Sequence, residues 1–332
     1  MKTINYCPCC GSTEIKRRKT YTFTKPRLDI ERNYQKLVDD IVLERLYILF
    51  DAIIPGHTDI SVDMAECSRC RFFFLNPRVT QEDLKIKYDR IASLSSTKSR
   101  YRKYPARHLD TRARRIHDLL LSTGVATLRE QTSILDVGGA WGYNLMPFVG
   151  SARLYVVDFE QWRMAPEISW LAREVKDIPE RMRFDCIMCL HTLEHVADPY
   201  AAVELLASHL TDGGLLYVEV PLGVFREIGH VREPITHINF FCEKSVHGLF
   251  TRAGLEVVHL STKYQWVTTG RQWCVNIVGM NNKGSGTRGK RPKSAFMQRM
   301  NPLYYVAAGF NRLVKRASAL LNIATHVGNE QT

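Results

Sequence analysis

The sequence has no continuous apolar run of about eighteen residues, the length that a membrane-spanning helix requires. Its first residues also lack an apolar signal region and pass directly into the segment Tyr6-Cys7-Pro8-Cys9-Cys10. We therefore expect a cytoplasmic protein. Its 332 residues, of which 45% are hydrophobic and 24% charged, are typical of a globular protein with one large core and a small additional module.

Acidic residues are nearly absent from residues 281–332. This segment contains nine lysines and arginines and a single acidic residue, Glu330, so it carries +8 of the net charge of +12. Because the other residues carry only +4, the net charge is not evidence that the main part of the chain binds nucleic acid.

The composition of residues 281–294 is typical of a flexible basic linker. Asn301 and Pro302 then suit the start of a helix of about 24 residues, because proline is tolerated in a first helical turn. We expect this amphipathic helix to dock on its own domain or on a second copy of the chain. Peripheral contact with an anionic membrane surface and contact with RNA remain alternatives.

A glycine-rich turn follows an apolar segment in the middle of the chain. Residues 133–143, Ser-Ile-Leu-Asp-Val-Gly-Gly-Ala-Trp-Gly-Tyr, predict a buried strand, a tight turn and the start of a helix. The turn does not have the Gly-x-Gly-x-x-Gly spacing of dinucleotide sites. The carboxylate of Asp136 instead suits a positively charged group, such as the amino-acid end of S-adenosylmethionine. Small residues let the backbone approach such a ligand closely, and they are Gly138, Gly139, Ala140 and Gly142.

Later segments add groups for the same ligand. Asp158 ends a second apolar strand, at the position where α/β nucleotide sites place a carboxylate for the ribose, and Phe159 beside it could stack on a ring. Asp177 and Ile178, in a short strand and loop, offer a third carboxylate and an apolar neighbour for adenine. His191 follows a further buried strand, and we expect it to line the pocket.

Strands alternate with helices over residues 110–260, which predicts an α/β fold with a parallel sheet. Over residues 105–280 the chain resembles the class I S-adenosylmethionine-dependent methyltransferases. The resemblance implies a Rossmann-like fold with a seven-stranded, mostly parallel sheet, and methyl transfer as the activity. That family usually has glycine at the position of Ala140, where alanine fits if its φ is negative. The matching segments are residues 135–142, 157–158, 177–178, 193–199, 212–221, 237–241 and 249–258.

Nine cysteines in a chain without an export signal indicate metal binding or reduced thiols rather than disulfides. Two Cys-x-x-Cys pairs, Cys7 with Cys10 and Cys67 with Cys70, predict a structural zinc ribbon, because this spacing lets both sulfurs reach one tetrahedral Zn²⁺. Cys9 could compete for the metal. Unliganded buried cysteines and a redox pair remain alternatives.

The long gap between the two cysteine pairs predicts an inserted helix over residues 28–50. We therefore divide the chain into four parts. Residues 1–80 are the zinc-ribbon head, residues 81–125 a helical linker or lid, residues 126–280 the core, and residues 281–332 the basic linker and helix.

A Cys-x-x-Cys pair just before Asn76-Pro77-Arg78 resembles methyltransferases that carry a cysteine-rich head. In those proteins the head helps to cover the active site, and the resemblance implies a sugar, a sugar nucleotide or a glycosylated intermediate as the small-molecule substrate. The alternative is a zinc-ribbon nucleic-acid protein or RNA methyltransferase. Against it, we expect no basic surface with interleaved aromatic residues on the head, and no Asn/Asp-Pro-Pro-Tyr tetrapeptide occurs after the fourth core strand.

A hydroxyl or carbon nucleophile needs a base whose pKa lies near neutrality, which favours histidine. His237 is the best candidate, because it follows the strand ending at Pro221 in a loop over the predicted carboxyl edge. Sugar C-methyltransferases often have Glu-His there, whereas this chain has Thr236-His237, with Glu233 nearby. A structural role for His237 is the alternative, and His230 and Tyr264 are weaker candidates.

His191, Glu194 and His195 form the pattern His-x-x-Glu-His, which belongs to zinc proteases when it lies within one helix. Here it follows a strand directly and runs into Asp198-Pro199, so a peptidase is not expected. A divalent cation is an alternative, because ubiquinone-pathway O-methyltransferases have a similar cluster in this segment. We expect structural roles for Glu194 and His195.

Overall fold

Two β-sheets organise the chain. In the head, β1 (Ile15–Thr24), β2 (Asp59–Cys67) and β3 (Phe73–Asn76) form an antiparallel sheet. The computed structural model describes residues 1–26, 40–93, 106–123, 131–223, 231–267 and 270–282.

The head sheet has an exposed, basic edge. Lys16, Arg17 and Lys19 on β1 are exposed, and the Lys19 ammonium lies 4.6 Å from the ring centroid of Tyr21. The edge therefore places exposed basic residues beside one aromatic side chain, and the expectation that the head has no basic surface with interleaved aromatic residues stays a prediction. Charged side chains on an edge strand also prevent it from pairing with other chains, so this surface does not by itself indicate a nucleic-acid partner.

The helix predicted over residues 28–50 is described only in its second half. Helix α1 (Asp40–Ile48) continues into a π-helical turn, Leu49–Ile53, and residues 27–39 lie outside the described part of the chain. Two further helices follow the head strands, α2 (Gln81–Ser93) and α3 (Ala106–Thr123).

The core sheet has seven strands: β4 (Ser133–Val137), β5 (Arg153–Val157), β6 (Ile168–Ala172), β7 (Phe184–Leu190), β8 (Leu210–Pro221), β10 (Leu255–Val267) and β11 (Gly270–Asn281). Their order is β10-β11-β8-β7-β4-β5-β6, and β11 alone runs opposite to the other six strands. This confirms the predicted seven-stranded, mostly parallel sheet. Helices α4 (Pro199–Ser208) and α5 (Glu243–Arg252) lie between the later strands. The short strand β9 (Asn239–Phe240) belongs to the head sheet.

Both faces of the core sheet are covered, which is why its central strands are apolar without alternation. All five residues of β4 are buried. Ile134 packs in a cluster with Ile116 and Leu120 of α3, whereas Leu135 packs in a second cluster with Leu249 of α5.

The strand β9 joins the head sheet to the core. Phe73 pairs with Phe240 and Phe74 with Asn239, so β9 is the fourth strand of the head sheet. All described residues belong to one compact unit, Met1–Ser294. The predicted C-terminal helix lies outside the described residues, and no helix within them is long and apolar enough to span a membrane.

Candidate active site

The parallel strands β4, β5, β7 and β8 end at one edge of the core sheet, where ligands of α/β proteins bind. Asp136 lies near the end of β4, Asp158 directly follows β5 and His191 directly follows β7. Glu219 lies near the end of β8. The structure therefore brings these four polar side chains to the same edge; the sequence predicts Asp136, Asp158 and His191 at this site, but not Glu219.

The glycine-rich turn after β4 adopts left-handed backbone conformations. Gly138 and Gly142 both have φ of 74°, a value at which a Cβ is strained. Ala140 has φ of 44°, so the condition for alanine at this position, a negative φ, is not met. The turn also leads into a 3-10 helix, Tyr143–Phe148, rather than a regular α-helix, because Pro147 lies within it.

The carboxylate of Asp136 is buried and only half satisfied. Its Oδ2 accepts a hydrogen bond from Asn144 Nδ2 at 3.1 Å, while Oδ1 is buried without a hydrogen-bond donor among the described residues. Burial raises the pKa of Asp136 to about 7. A positively charged ligand group would supply both the missing donor and the missing charge.

The carboxylate of Asp158 is engaged by three donors of the chain itself. Ala140 N donates to Oδ2 at 3.0 Å, and Glu160 N and Trp162 Nε1 donate to Oδ1 at 3.2 and 3.1 Å. Burial raises the pKa of Asp158. A ribose would therefore have to share this carboxylate with protein donors or displace the Trp162 indole.

The other three predicted cofactor-binding residues, Phe159, Asp177 and Ile178, differ in their burial and in their contacts. Phe159, next to Asp158, packs against the ring of Tyr88 with centroids 5.0 Å apart. Asp177 is exposed at the end of a 3-10 turn, Val175–Asp177, which replaces the short strand predicted there. Ile178 is buried in the core.

Glu219 is the most heavily hydrogen-bonded acid of this edge. It is fully buried and accepts hydrogen bonds from Arg112 at 3.1 Å and Arg115 at 2.5 Å. Tyr217 Oη and Gln265 Nε2 donate to it at 3.1 and 2.7 Å. Burial would raise the pKa of Glu219, but the two arginines and His191 outweigh it and hold the pKa well below its usual range.

Sequence reasoning missed these partners of Glu219. The signal was present, because two arginines three positions apart on one helix lie on the same face and can reach one buried carboxylate. Which carboxylate they would reach depended on how α3 packs against β8.

His191 bridges two buried carboxylates. Its Nε2 lies 3.0 Å from Glu219 Oε1, and its Nδ1 lies 3.2 Å from Glu194 Oε1. Burial lowers the pKa of His191, but contacts with Cys274 and with the two glutamates outweigh this effect and raise it well above the ordinary value. His191 thus carries a positive charge at this edge, and its φ of 55° turns the chain away from β7.

Glu194, His195 and His237 form a second cluster beyond Glu219. Their closest oxygen and nitrogen atoms all lie within 4.8 Å of one another, so the group could accommodate a metal ion. Glu194 is buried, and neither of its oxygens has a well-aligned hydrogen-bond donor among the described residues. His195 Nδ1 lies 2.8 Å from the carbonyl oxygen of Thr236, and burial lowers the pKa of His195 to about 3, so it stays neutral.

His237 lies in the loop between β8 and β9, as predicted, with its ring centroid 4.8 Å from that of His195. Its side chain is exposed, although the protein atoms around it lower its pKa below the ordinary value by desolvation. Glu233, the nearby acid in sequence, is occupied by Arg45 at 3.8 Å. His237 is therefore neutral and accessible near neutral pH. Tyr264 is exposed on β10, and His230 lies outside the described residues.

The four predicted zinc ligands converge in the head. Cys7 Sγ lies 3.7 Å from Cys70 Sγ, and Cys10 Sγ lies 3.6 Å from Cys67 Sγ. All four sulfurs lie within 4.8 Å of one another. A tetrahedral Zn²⁺ with Zn–S bonds of about 2.3 Å separates its sulfurs by about 3.8 Å, so the spacing fits this ion.

Cys9 is not among the four cysteines whose sulfurs lie within 4.8 Å of one another, although its thiol interacts with that of Cys70. Cys9 Sγ donates to the carbonyl oxygen of Ser245 at 3.3 Å, in the first turn of α5. Cys9 therefore fastens the head to the core.

Residues 106–260 match a family model described as a methyltransferase domain. With the seven-stranded sheet, this match confirms the predicted fold and the predicted enzyme class, a methyltransferase. It also supports S-adenosylmethionine as the cofactor. No curated protein matches the chain.

Solved methyltransferase structures resemble part of the chain. The N-methyltransferase NodS from Bradyrhizobium japonicum, in complex with S-adenosylhomocysteine, is 19% identical with a TM-score of 0.41, covering 59% of this chain and 96% of that one. A methyltransferase from Methanosarcina mazei is 15% identical with a TM-score of 0.38, covering 47% and 95%. One from Aquifex aeolicus is 18% identical with a TM-score of 0.37, covering 50% and 88%.

Proposed function

We propose that the protein transfers the methyl group of S-adenosylmethionine to a small-molecule acceptor, and that this acceptor is a sugar, a sugar nucleotide or a glycosylated intermediate. The observation that carries the first part is the buried Asp136 oxygen without a donor, next to a left-handed glycine turn. The acceptor class follows from the resemblance to methyltransferases with a cysteine-rich head.

The residues at the carboxyl edge fit the cofactor. Asp136 would take the ammonium group of the methionine moiety, which satisfies its free oxygen and returns it to the charged state. Asp158 would bind the ribose hydroxyls, and Gly138 is exposed at the turn, where the backbone can approach the ligand. When bound, the cofactor supplies the electrophilic methyl group and its leaving group.

His237 would accept the proton of the acceptor. It is neutral, exposed and beyond the charged pair of His191 and Glu219, so its lone pair is available. A positioned base contributes about 10²–10⁴-fold to a rate. Because the loop of His237 is anchored to the head, the acceptor would bind between the core edge and the head.

In the head, Cys7, Cys10, Cys67 and Cys70 would hold one structural Zn²⁺. The Cys70 thiol and burial raise the pKa of Cys7, so four thiolates are not stable there without a cation. Four thiolate ligands would leave the ion no open position for chemistry, so its role would be structural.

The experiment is an assay with labelled S-adenosylmethionine and a panel of sugar nucleotides, free sugars and structured RNA. Label transferred to a sugar-type acceptor supports the proposal. Label in RNA, or binding of RNA that weakens steeply with salt and survives deletion of residues 281–332, would support the RNA alternative instead. The exposed basic strand β1 is the observation that favours this alternative.

A further inference from the structure

The loop that carries His237 is fixed by the head rather than by the core alone. Ile235 and Ile238, on either side of His237, are fully buried and pack in the hydrophobic cluster of the head. Lys87 of α2 is buried and donates to the carbonyl oxygen of Ile235 at 3.1 Å. His237 is thus an exposed residue between two anchored ones.

The buried side chain of Asn239 and the backbone of Ile238 connect this loop with the turn that carries Glu194 and His195. Asn239 Nδ2 donates to the carbonyl oxygens of Leu193 at 2.9 Å and Val196 at 2.7 Å. The backbone N–H of Ile238 donates to the carbonyl oxygen of Glu194 at 3.0 Å. The amide side chain therefore replaces, for this turn, the hydrogen bonds that a regular strand or helix would supply.

The third segment in this connection comes from the head. Arg78 Nη2 donates to Asn239 Oδ1 at 2.7 Å and to the carbonyl oxygen of Ala197 at 2.8 Å. Arg78 and Asn239 are 3% and 1% exposed, too buried to contact an acceptor directly. Leu75 N also donates to the carbonyl oxygen of Ile238 at 3.1 Å.

We propose that Arg78 and Asn239 are positioning residues for methyl transfer, which lock the head strand, the turn at Glu194 and the loop of His237 into one acceptor-binding wall. This inference rests on the proposed function for the role of His237. Loss of the lock leaves the cofactor site intact, because Asp136 and Asp158 lie on β4 and just after β5 and do not contact either residue.

The test compares Asn239→Asp with Asn281→Asp in the full-length protein. The substitution Asn239→Asp keeps the size of the side chain and the acceptor for Arg78, but it turns a carboxylate oxygen toward the carbonyls of Leu193 and Val196. Asn281 is a matched control, because it is also buried and donates to two carbonyls, those of Leu210 at 3.4 Å and Thr211 at 3.1 Å, at the opposite edge of the sheet.

The first measurement follows the titration of the His237 ring by NMR, with its signal identified by its absence in His237→Gln. This titration uses the uncharged replacements Asn239→Leu and Asn281→Leu, because a new carboxylate at position 239 would by itself raise the pKa of a histidine two residues away. In Asn239→Leu the apparent pKa should rise toward the ordinary histidine value, because the loop leaves its position beside the protein, and in Asn281→Leu it should not change. An unchanged His237 titration in Asn239→Leu, with zinc content and folding intact, would overturn the proposal.

The second measurement is calorimetry with S-adenosylhomocysteine, which should bind wild type and Asn239→Asp with affinities within about threefold. With an acceptor in hand, kcat should fall at least about tenfold, since small misplacements of reacting groups are costly. Arg78→Lys should retain part of the rate. A large loss of S-adenosylhomocysteine affinity in Asn239→Asp would overturn the proposal, whereas a wild type that does not bind it would contradict the proposed function alone.

Discussion

The cysteine cluster of the head and the acidic edge of the core sheet both concentrate acidic groups in buried positions, but the chain neutralises them differently. Glu219 receives two arginines, a histidine, a tyrosine and a glutamine from the protein itself. The four thiols of the head have mainly one another as close neighbours. A buried acid with protein partners indicates a fixed scaffold, whereas one without them indicates a ligand.

The same distinction separates Asp136 from Glu219 within the core. Both are buried, yet one Asp136 oxygen has no donor among the described residues while Glu219 has several. By this reasoning Asp136, like the four thiols, is a ligand-binding group, because a bound ligand would have to supply its missing hydrogen-bond donor.

The largest effect is expected in the head. Replacing Cys67 by serine should lower the zinc content from about one equivalent to nearly none and destabilise residues 1–80, because structural zinc contributes about 10–16 kcal/mol in small domains. Elemental analysis and limited proteolysis measure this. Cys9→Ser should keep its zinc, and the absence of zinc in wild type prepared without chelator would contradict the assignment.

The next effect concerns the acceptor side. His237→Ala should lower kcat by about 10²–10⁴-fold with little change in cofactor affinity, and His237→Gln should not restore the rate, because glutamine cannot accept the proton. Steady-state kinetics with the identified acceptor measure this. If the alanine variant stays within threefold of wild type, His237 has only a packing role. If added Mn²⁺ stimulates wild type but not the variant, the cluster with Glu194 and His195 holds a cation.

A smaller effect is expected at the ribose carboxylate. Asp158→Ala should weaken S-adenosylmethionine binding by about 1.5–3 kcal/mol, because it removes the charge-assisted hydrogen bonds to the ribose. The effect is limited because, without the ligand, the same carboxylate already accepts hydrogen bonds from Trp162 and the backbone. Calorimetry measures this, with Glu180→Ala, an exposed acid before β7, as the control. Gly138→Val is a less clean test, since its Cβ would lie 2.5 Å from Thr192 Oγ1. Equal affinities in Asp158→Ala and wild type would contradict the site.

The smallest effect is a pH dependence of stability without cofactor. Because burial raises the pKa of Asp136 to about 7, this group favours the folded state fully only below its ordinary pKa, and the contribution is lost as pH rises through about 7. Asp136→Asn should therefore gain a few degrees in melting temperature over wild type at pH 8 and little at pH 4. If the melting temperatures of the two proteins change with pH in the same way, Asp136 is not the group whose titration affects stability.

The sequence predicted those parts of the fold that depend on residues close together in the chain. The cysteine pairs, the apolar strands and the glycine turn are defined by neighbours in sequence, and the structure places them as predicted. The positive φ of Ala140 could not be read from the local sequence, because the turn geometry, held by the hydrogen bond from Ala140 N to Asp158, overrides the preference of alanine for a negative φ. The roles of Arg78, Asn239 and Arg112 were not visible, because each depends on contacts with residues distant in sequence.

The pairing of β3 with β9 also orders the folding of the chain during synthesis. Arg78 and Asn239 are 161 residues apart, so the head sheet lacks its fourth strand until most of the core has been made. Until then, the apolar cluster that later receives Ile235 and Ile238 stays open to solvent. Residues 1–80 are therefore not a module that can be cut out or grafted: a fragment ending there leaves an unpaired strand and an apolar face, which favour aggregation.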